Sequence, residues 1–133
     1  MPVVDAAAGQ DGLTVQGVAI STGASNGLVG SGGISGFTAS ESSIVTTTGT
    51  ALSLNNATIG AGGLTFRSIS SNGAPNGIVL NNTGISGSLT VTGNGGTCAS
   101  GNTAGCTGGE IRNSTGGDDS SSLPVGTGIA DDK

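Results

Sequence analysis

Leu64-Thr65-Phe66 has three counterparts in the chain, Leu13-Thr14-Val15, Phe37-Thr38-Ala39 and Leu89-Thr90-Val91, spaced about 25 residues apart. Each sets a polar Thr between two apolar residues. In a strand, side chains alternate faces, so Leu64 and Phe66 share one side and Thr65 takes the other. A repeat of this length is the signature of a solenoid, in which each coil buries its neighbours. Stacked in parallel, the four segments are expected to give inner apolar columns and an outer column of Thr14, Thr38, Thr65 and Thr90.

Further columns follow outward from this one. Ile20, Ile44, Ile69 and Ile111 form a second, with Ile111 delayed by an insertion that holds both cysteines. Val3-Val4, Leu28-Val29, Leu52-Ser53-Leu54, Ile78-Val79-Leu80 and Gly128-Ile129 form a third. Ile34, Ile59 and Ile85 add one more apolar position. The expected inner ladder is therefore Leu13, Phe37, Leu64 and Leu89; Ile20, Ile44, Ile69 and Ile111; and Leu28, Leu52, Ile78 and Ile129.

Three short strands per coil, joined by Gly, Asn and Ser turns, describe an all-β fold. The expected architecture is a right-handed parallel β-helix of about four to five coils, because parallel crossovers favour that hand. One domain spans 1–133, with a disulfide-closed loop insertion at about 94–109 and a polar turn insertion at about 116–122. An antiparallel sandwich or barrel would also use many short strands, but rarely keeps a period over four matched units. Asn55-Asn56 and Asn81-Asn82 recur 26 residues apart at one corner. Stacked amides at such a corner are expected to hydrogen-bond along the axis, against the alternative of turn asparagines facing solvent.

Composition narrows the functions. Glycine supplies 28 of the 133 residues, aromatics are 2%, charged residues are 8%, and His, Trp and Tyr are absent. The glycines have no three-residue period, which excludes collagen. Eight acidic residues stand against Arg67, Arg112 and Lys133. So few cations argue against nucleic acid and against anionic membranes, and no apolar run suits membrane insertion. No signal peptide is visible at Met1-Pro2-Val3-Val4-Asp5. Cys98 and Cys106 are separated by seven residues. This is neither a Cys-x-x-Cys redox spacing nor, without His, a good zinc site. A structural disulfide is expected, worth roughly 2–3 kcal/mol in the chain-entropy model, and with it an oxidising compartment.

Chemistry-bearing patterns are sparse. Without His, the many serines have no evident base, and no catalytic, cofactor or metal site is expected. Asp118-Asp119 and Asp131-Asp132 read as solvated charge, and the Gly-rich turns around Gly30–Gly33 and Gly126–Gly128 as corners of the solenoid. Glu41, Arg67 and Glu110 each precede a second-column Ile and are expected to stack along one edge. A glycosidase would need two carboxylates to converge, with Asp5, Asp11, Glu41 and Glu110 as the candidates. A flat Thr array could order water as ice-binding surfaces do, but one Thr per coil makes a single rank. The Asn-x-Thr triplets at Asn56, Asn81-Asn82-Thr83 and Asn113 are common by composition alone.

The phrases GTALSLNNATIGAGGLTF, NGIVLNNTGISGSLTVTGNGGTCASGNTAGCTGGEIRNSTG and GTGI resemble coils of bacterial right-handed β-helix surface proteins. These are the autotransporter-like and haemagglutinin-like adhesins with repetitive passenger regions. The resemblance runs from Gly12 onward and carries a scaffold pattern without a catalytic signature. It implies export and display at the cell surface as stalk, adhesin or filament. The chain departs from that pattern in having few coils and no visible leader, anchor or translocator. Val3, Val4, Gly128 and Ile129 lie in strands without evident caps, so the expected partner is another copy stacked head to tail, or flanking coils of a longer chain. A cell-surface or glycan ligand is the further expected partner. The alternative function is a carbohydrate-binding or carbohydrate-cleaving β-helix, with ice binding behind it.

Overall fold

The computed structural model describes residues 4–6, 11–93, 108–115 and 129–132. Every regular element among them is a strand: β1 (Val4–Ala6), β2 (Thr14–Gln16), β3 (Ala19–Ser21), β4 (Leu28–Val45), β5 (Leu52–Asn72), β6 (Ile78–Asn81), β7 (Leu89–Val91), β8 (Ile111–Arg112) and β9 (Ile129–Asp132). All their pairings are parallel. The chain winds as a β-solenoid with three faces. The first face stacks β1, β4, β5, β6 and β9. The second stacks β2, the middle of β4 and of β5, and β7; the third stacks β3, the ends of β4 and β5, and β8. About three turns separate the first and last strands of these two faces.

In the two central coils the expected three short strands run together as β4 and β5, 18 and 21 residues long. The chain bends at register shifts within the ladder instead of leaving it. Bulged residues supply the bends, since an extra residue on one strand turns it without ending the pairing.

The core is a single axial column of apolar side chains. Leu28, Leu52, Leu54, Phe37, Ile44, Leu64 and Phe66 are completely buried. The alternation is strict along Leu52-Ser53-Leu54, where Ser53 is half-buried between two inaccessible leucines. Leu13, Leu89 and Ile111, at the coil ends, are only half-buried against this core. Each lies on a strand or corner with one described neighbour instead of two.

The register corrects several expected columns. Ala39, not Phe37, lies opposite Leu64, and Phe37 pairs with Ile59. The slip comes from Gly60-Ala61-Gly62-Gly63, which lengthens the corner of the third coil. It also divides the Thr column. Thr14 pairs with Thr38, with their hydroxyls 2.9 Å apart, and Thr65 pairs with Thr90, but Thr38 and Thr65 are not partners. Ile20, Ile44 and Ile69 do stack, whereas Ile111 lies opposite Ser71, two residues beyond Ile69. A two-residue slip preserves the inward parity of a strand, so Ile111 still packs on the core. The Ile34–Ile59–Ile85 column does not form: Ile34 pairs with Ala57, and Ile85 is 97% exposed.

Hydroxyls manage one corner. Thr22 Oγ1 donates to the Ser25 carbonyl, and one coil on Thr46 Oγ1 donates to the Gly49 carbonyl at 2.6 Å. The Ser70 carbonyl accepts from the Thr46 amide, which puts Ser71 next in that column. Ser71 is 1% exposed and its Oγ is a buried hydroxyl without a hydrogen-bond partner. Unlike Thr22 and Thr46, Ser71 makes no bond to the carbonyl three residues on, Ala74 O, which accepts from Thr115 N. An unsatisfied buried hydroxyl costs about 1–3 kcal/mol in desolvation. Ser71→Ala is therefore expected to stabilise the chain by about 1 kcal/mol, read as an upward shift of the thermal unfolding midpoint.

Candidate functional site

Two of the three corners are lined by stacked asparagines. Asn81 Nδ2 donates to Asn55 Oδ1 at 3.2 Å, and Asn82 Nδ2 donates to Asn56 Oδ1 at 2.7 Å. Asn56 and Asn82 hold left-handed backbone with φ of 54° and 52°. Asn tolerates that conformation better than most residues, which explains its use where the chain must bend. A second stack joins Asn113 Nδ2 to Asn72 Oδ1 at 2.7 Å. Sequence reading missed this pair because 41 residues separate its members and no period points to it. All of these amides are at the surface, so each bond contributes on the order of 1 kcal/mol.

The remaining corner, between the second and third faces, is different. Gly17 and Gly93 have φ of 63° and 62° there, and Glu41 takes the left-handed conformation between them with φ of 52°. Glu41 is the extra residue in a shift of register between Ala39 and Ser42. Ser42, immediately after it, is fully buried, accepts from the Val18 amide at 3.2 Å and donates to the Ser40 carbonyl at 3.0 Å. This side chain locks the bulge that pushes Glu41 outward. A non-glycine residue in left-handed backbone carries about 1–2 kcal/mol of strain. Glu41→Gly is expected to relieve it and raise stability by about 0.5–1 kcal/mol after the unfolded-state entropy of glycine is counted. Urea unfolding midpoints of the two proteins check this.

Glu41, Thr65, Arg67, Thr92 and Gly93 line an open groove of about 480 Å³ at this corner. Gly93 N donates to the Arg67 carbonyl at 2.9 Å, and Thr92 Oγ1 donates to the Phe66 carbonyl at 3.3 Å, which ties the fourth coil to the third. The groove therefore offers one carboxylate, one guanidinium and two threonine hydroxyls, arranged across three coils.

The expected edge of Glu41, Arg67 and Glu110 is only partly assembled. Glu41 and Arg67 share the groove, but Glu110 follows Gly108, whose carbonyl accepts from Ile69 N. Glu110 lies beyond the groove and pairs instead with Arg112 at 3.7 Å. Both side chains are well exposed, so this ion pair is worth at most about 1 kcal/mol.

The candidate carboxylates are scattered over separate elements. Asp11 bridges to Ser35 before β2, and Glu110 precedes β8. Glu41 is the single carboxylate lining the groove among the described residues. Asp5 lies on β1 opposite Val29. No group of three or more metal-ligating side chains occurs among the described residues. The expected Cys98–Cys106 disulfide, the Asp118-Asp119 pair, the expected corner at Gly126–Gly128, and Val3 and Gly128 of the expected stacking ends lie outside the described residues. Val4 and Ile129, the other expected stacking residues, occupy β1 and β9, the outermost strands of the first face. Compared with known protein families, curated proteins and solved structures, the chain matched none.

Proposed function

We propose that the chain is a structural β-solenoid unit of an extracellular filament, adhesin stalk or cell-surface fibre, joined to its neighbours through the ends of the coil. The observation that carries this reading is the pair of outermost strands on the first face. Among the described residues β1 pairs with β4 alone and β9 with β6 alone. Each thus has one edge of backbone donors and acceptors to offer. Soluble β-proteins usually blunt or cover such edges, because an open edge recruits another strand. The half-buried Leu13, Leu89 and Ile111 add apolar surface at the same coil ends. Heterologous end-to-end contacts of this kind build open fibres. In this reading the chain is not an enzyme, needs no cofactor and works as a rigid spacer.

Light scattering of the purified chain across a concentration series tests it. Growth of particle mass with concentration is expected. A constant monomeric mass at millimolar concentration would rule out stacking between copies.

The Glu41–Arg67 groove supports a second reading, a carbohydrate-binding β-helix. The hydroxyls of Thr65 and Thr92 beside a carboxylate and a guanidinium suit a hydroxyl-rich ligand, although neither phenylalanine is exposed to stack on a sugar ring. A glycan array separates the two: Arg67-dependent glycan binding favours the second, and its absence favours the scaffold.

A further inference from the structure

We infer that, when copies stack, β9 of one molecule takes the place of β1 in the next. The inference rests on the stacking reading above and concerns how the junction is made. Among the described residues the first face holds five strands, β1, β4, β5, β6 and β9. The second holds β2, β4, β5 and β7, and the third β3, β4, β5 and β8, which is four each. One turn of a solenoid advances each face by one strand, about 4.8 Å.

A second copy that continues the two shorter faces sets its β2 on β7 and its β3 on β8. Its β1 and the first molecule's β9 then compete for one level of the first face. Seating that β1 on top of β9 instead lifts the whole second copy by one level. A gap one strand deep would then face β7 and β8, stranding backbone N–H and C=O groups on both sides. Displacement of β1 by β9 removes the conflict, and addition of an extended strand to an open sheet edge is a recurring mode of association.

Register identifies the strand that yields. β1 sets Val4, Asp5 and Ala6 opposite Leu28, Val29 and Gly30, three residues in all. β9 sets Ile129, Ala130, Asp131 and Asp132 opposite Ile78, Val79, Leu80 and Asn81, four residues. Leu28 and Ile78 belong to one column through Leu52, as do Ser31 and Asn81 through Asn55. Transferred onto β4 of the next copy, β9 therefore places Ile129 at the position of Val4 and Asp131 opposite Gly30. Asp132 joins the polar series Ser31–Asn55–Asn81. β9 gains a second paired edge and makes one more residue pair than the β1 it replaces. Displacement also takes Asp5 out of a junction that already contains Asp131 and Asp132.

Cross-linking of full-length chains tests the exchange. One population carries Ala130→Cys, and a second carries either Val29→Cys or Asp5→Cys. The mixed proteins are oxidised and their linked peptides identified by mass spectrometry, which separates these links from any involving Cys98 or Cys106. Exchange predicts intermolecular links from position 130 to position 29. Links to position 5 instead mean plain stacking and overturn the exchange. A chain that stays monomeric defeats the stacking reading and the exchange with it. A second arm uses opposite signs. Val4→Asp weakens the competing β1 and is expected to lower the concentration for half-assembly about tenfold, a change of 1.4 kcal/mol. Ile129→Asp is expected to raise it by a similar factor. If both substitutions weaken assembly, β1 is part of the junction and the exchange is wrong.

Discussion

Leu52→Asp is expected to unfold the chain, while Ser53→Asp next to it is expected to cost no more than about 1 kcal/mol. Leu52 is completely buried between Leu28 on one coil and Ile78 on the next. A carboxylate there has no partner, and an uncompensated buried charge destabilises by several kcal/mol. Domains of this size hold only about 5–15 kcal/mol in total. Ser53 lies between Val29 and Val79 on the opposite side of the strand, where all three are half-buried and solvent remains accessible. Circular dichroism of the two variants at one temperature reads the difference. Similar behaviour of both would mean that the alternation along β5 does not separate core from surface.

Phe66→Ala is expected to destabilise by about 3–5 kcal/mol, the usual cost of emptying a buried aromatic site. For a chain of this length that lowers the unfolding midpoint by roughly 10–20 °C. The chain has only two phenylalanines and no Trp or Tyr, so few large side chains fill its interior. Phe66 is completely inaccessible and is paired with Ser42 on one side and Val91 on the other. Ser42 is small and held in place by its own hydrogen bonds, so the neighbouring coil cannot collapse into the space. Differential scanning calorimetry measures the shift.

The architecture was legible because the strand pattern has period two and the coil has period about 25. Both are carried by residue type. The first-face column through Leu28, Leu52 and Ile78 was readable to the residue, since each of these strands opens on a large aliphatic residue directly after a small one, Gly27, Ala51 or Gly77. The second face was readable in parity and misread in register. Residues 60–63 add length at a corner, and a corner leaves no apolar mark that would count its residues. Thr38 and Thr65 look equivalent in sequence for this reason, although Ala39 is the residue that meets Leu64. The delayed Ile111 was placed on the correct face and two residues from its true neighbour, because the length of an insertion says nothing about where pairing resumes. Ile85 shows the reverse failure: its spacing fits a column, but the chain at Gly84-Ile85-Ser86 has left the ladder.

The corner groove was partly legible. Glu41 and Arg67 were marked by charge alone in a chain with few charges. The left-handed backbone of Glu41 was not, because glutamate gives no signal for it where Asn and Gly would. The buried hydroxyl of Ser42, which holds the bulge, looks like any other serine in a chain rich in them. Polar residues that serve the interior of a solenoid are hidden by the same composition that builds its turns.

Cryo-EM of the purified chain at high concentration is the most direct test of the central claim, that these coils stack end to end. The expected result is a filament whose strands lie across its axis, with a repeat of about 4.8 Å along it and one continuous first face running through each junction. Dispersed single particles at every concentration, with the edges of β1 and β9 left unpaired by any neighbour, would contradict it.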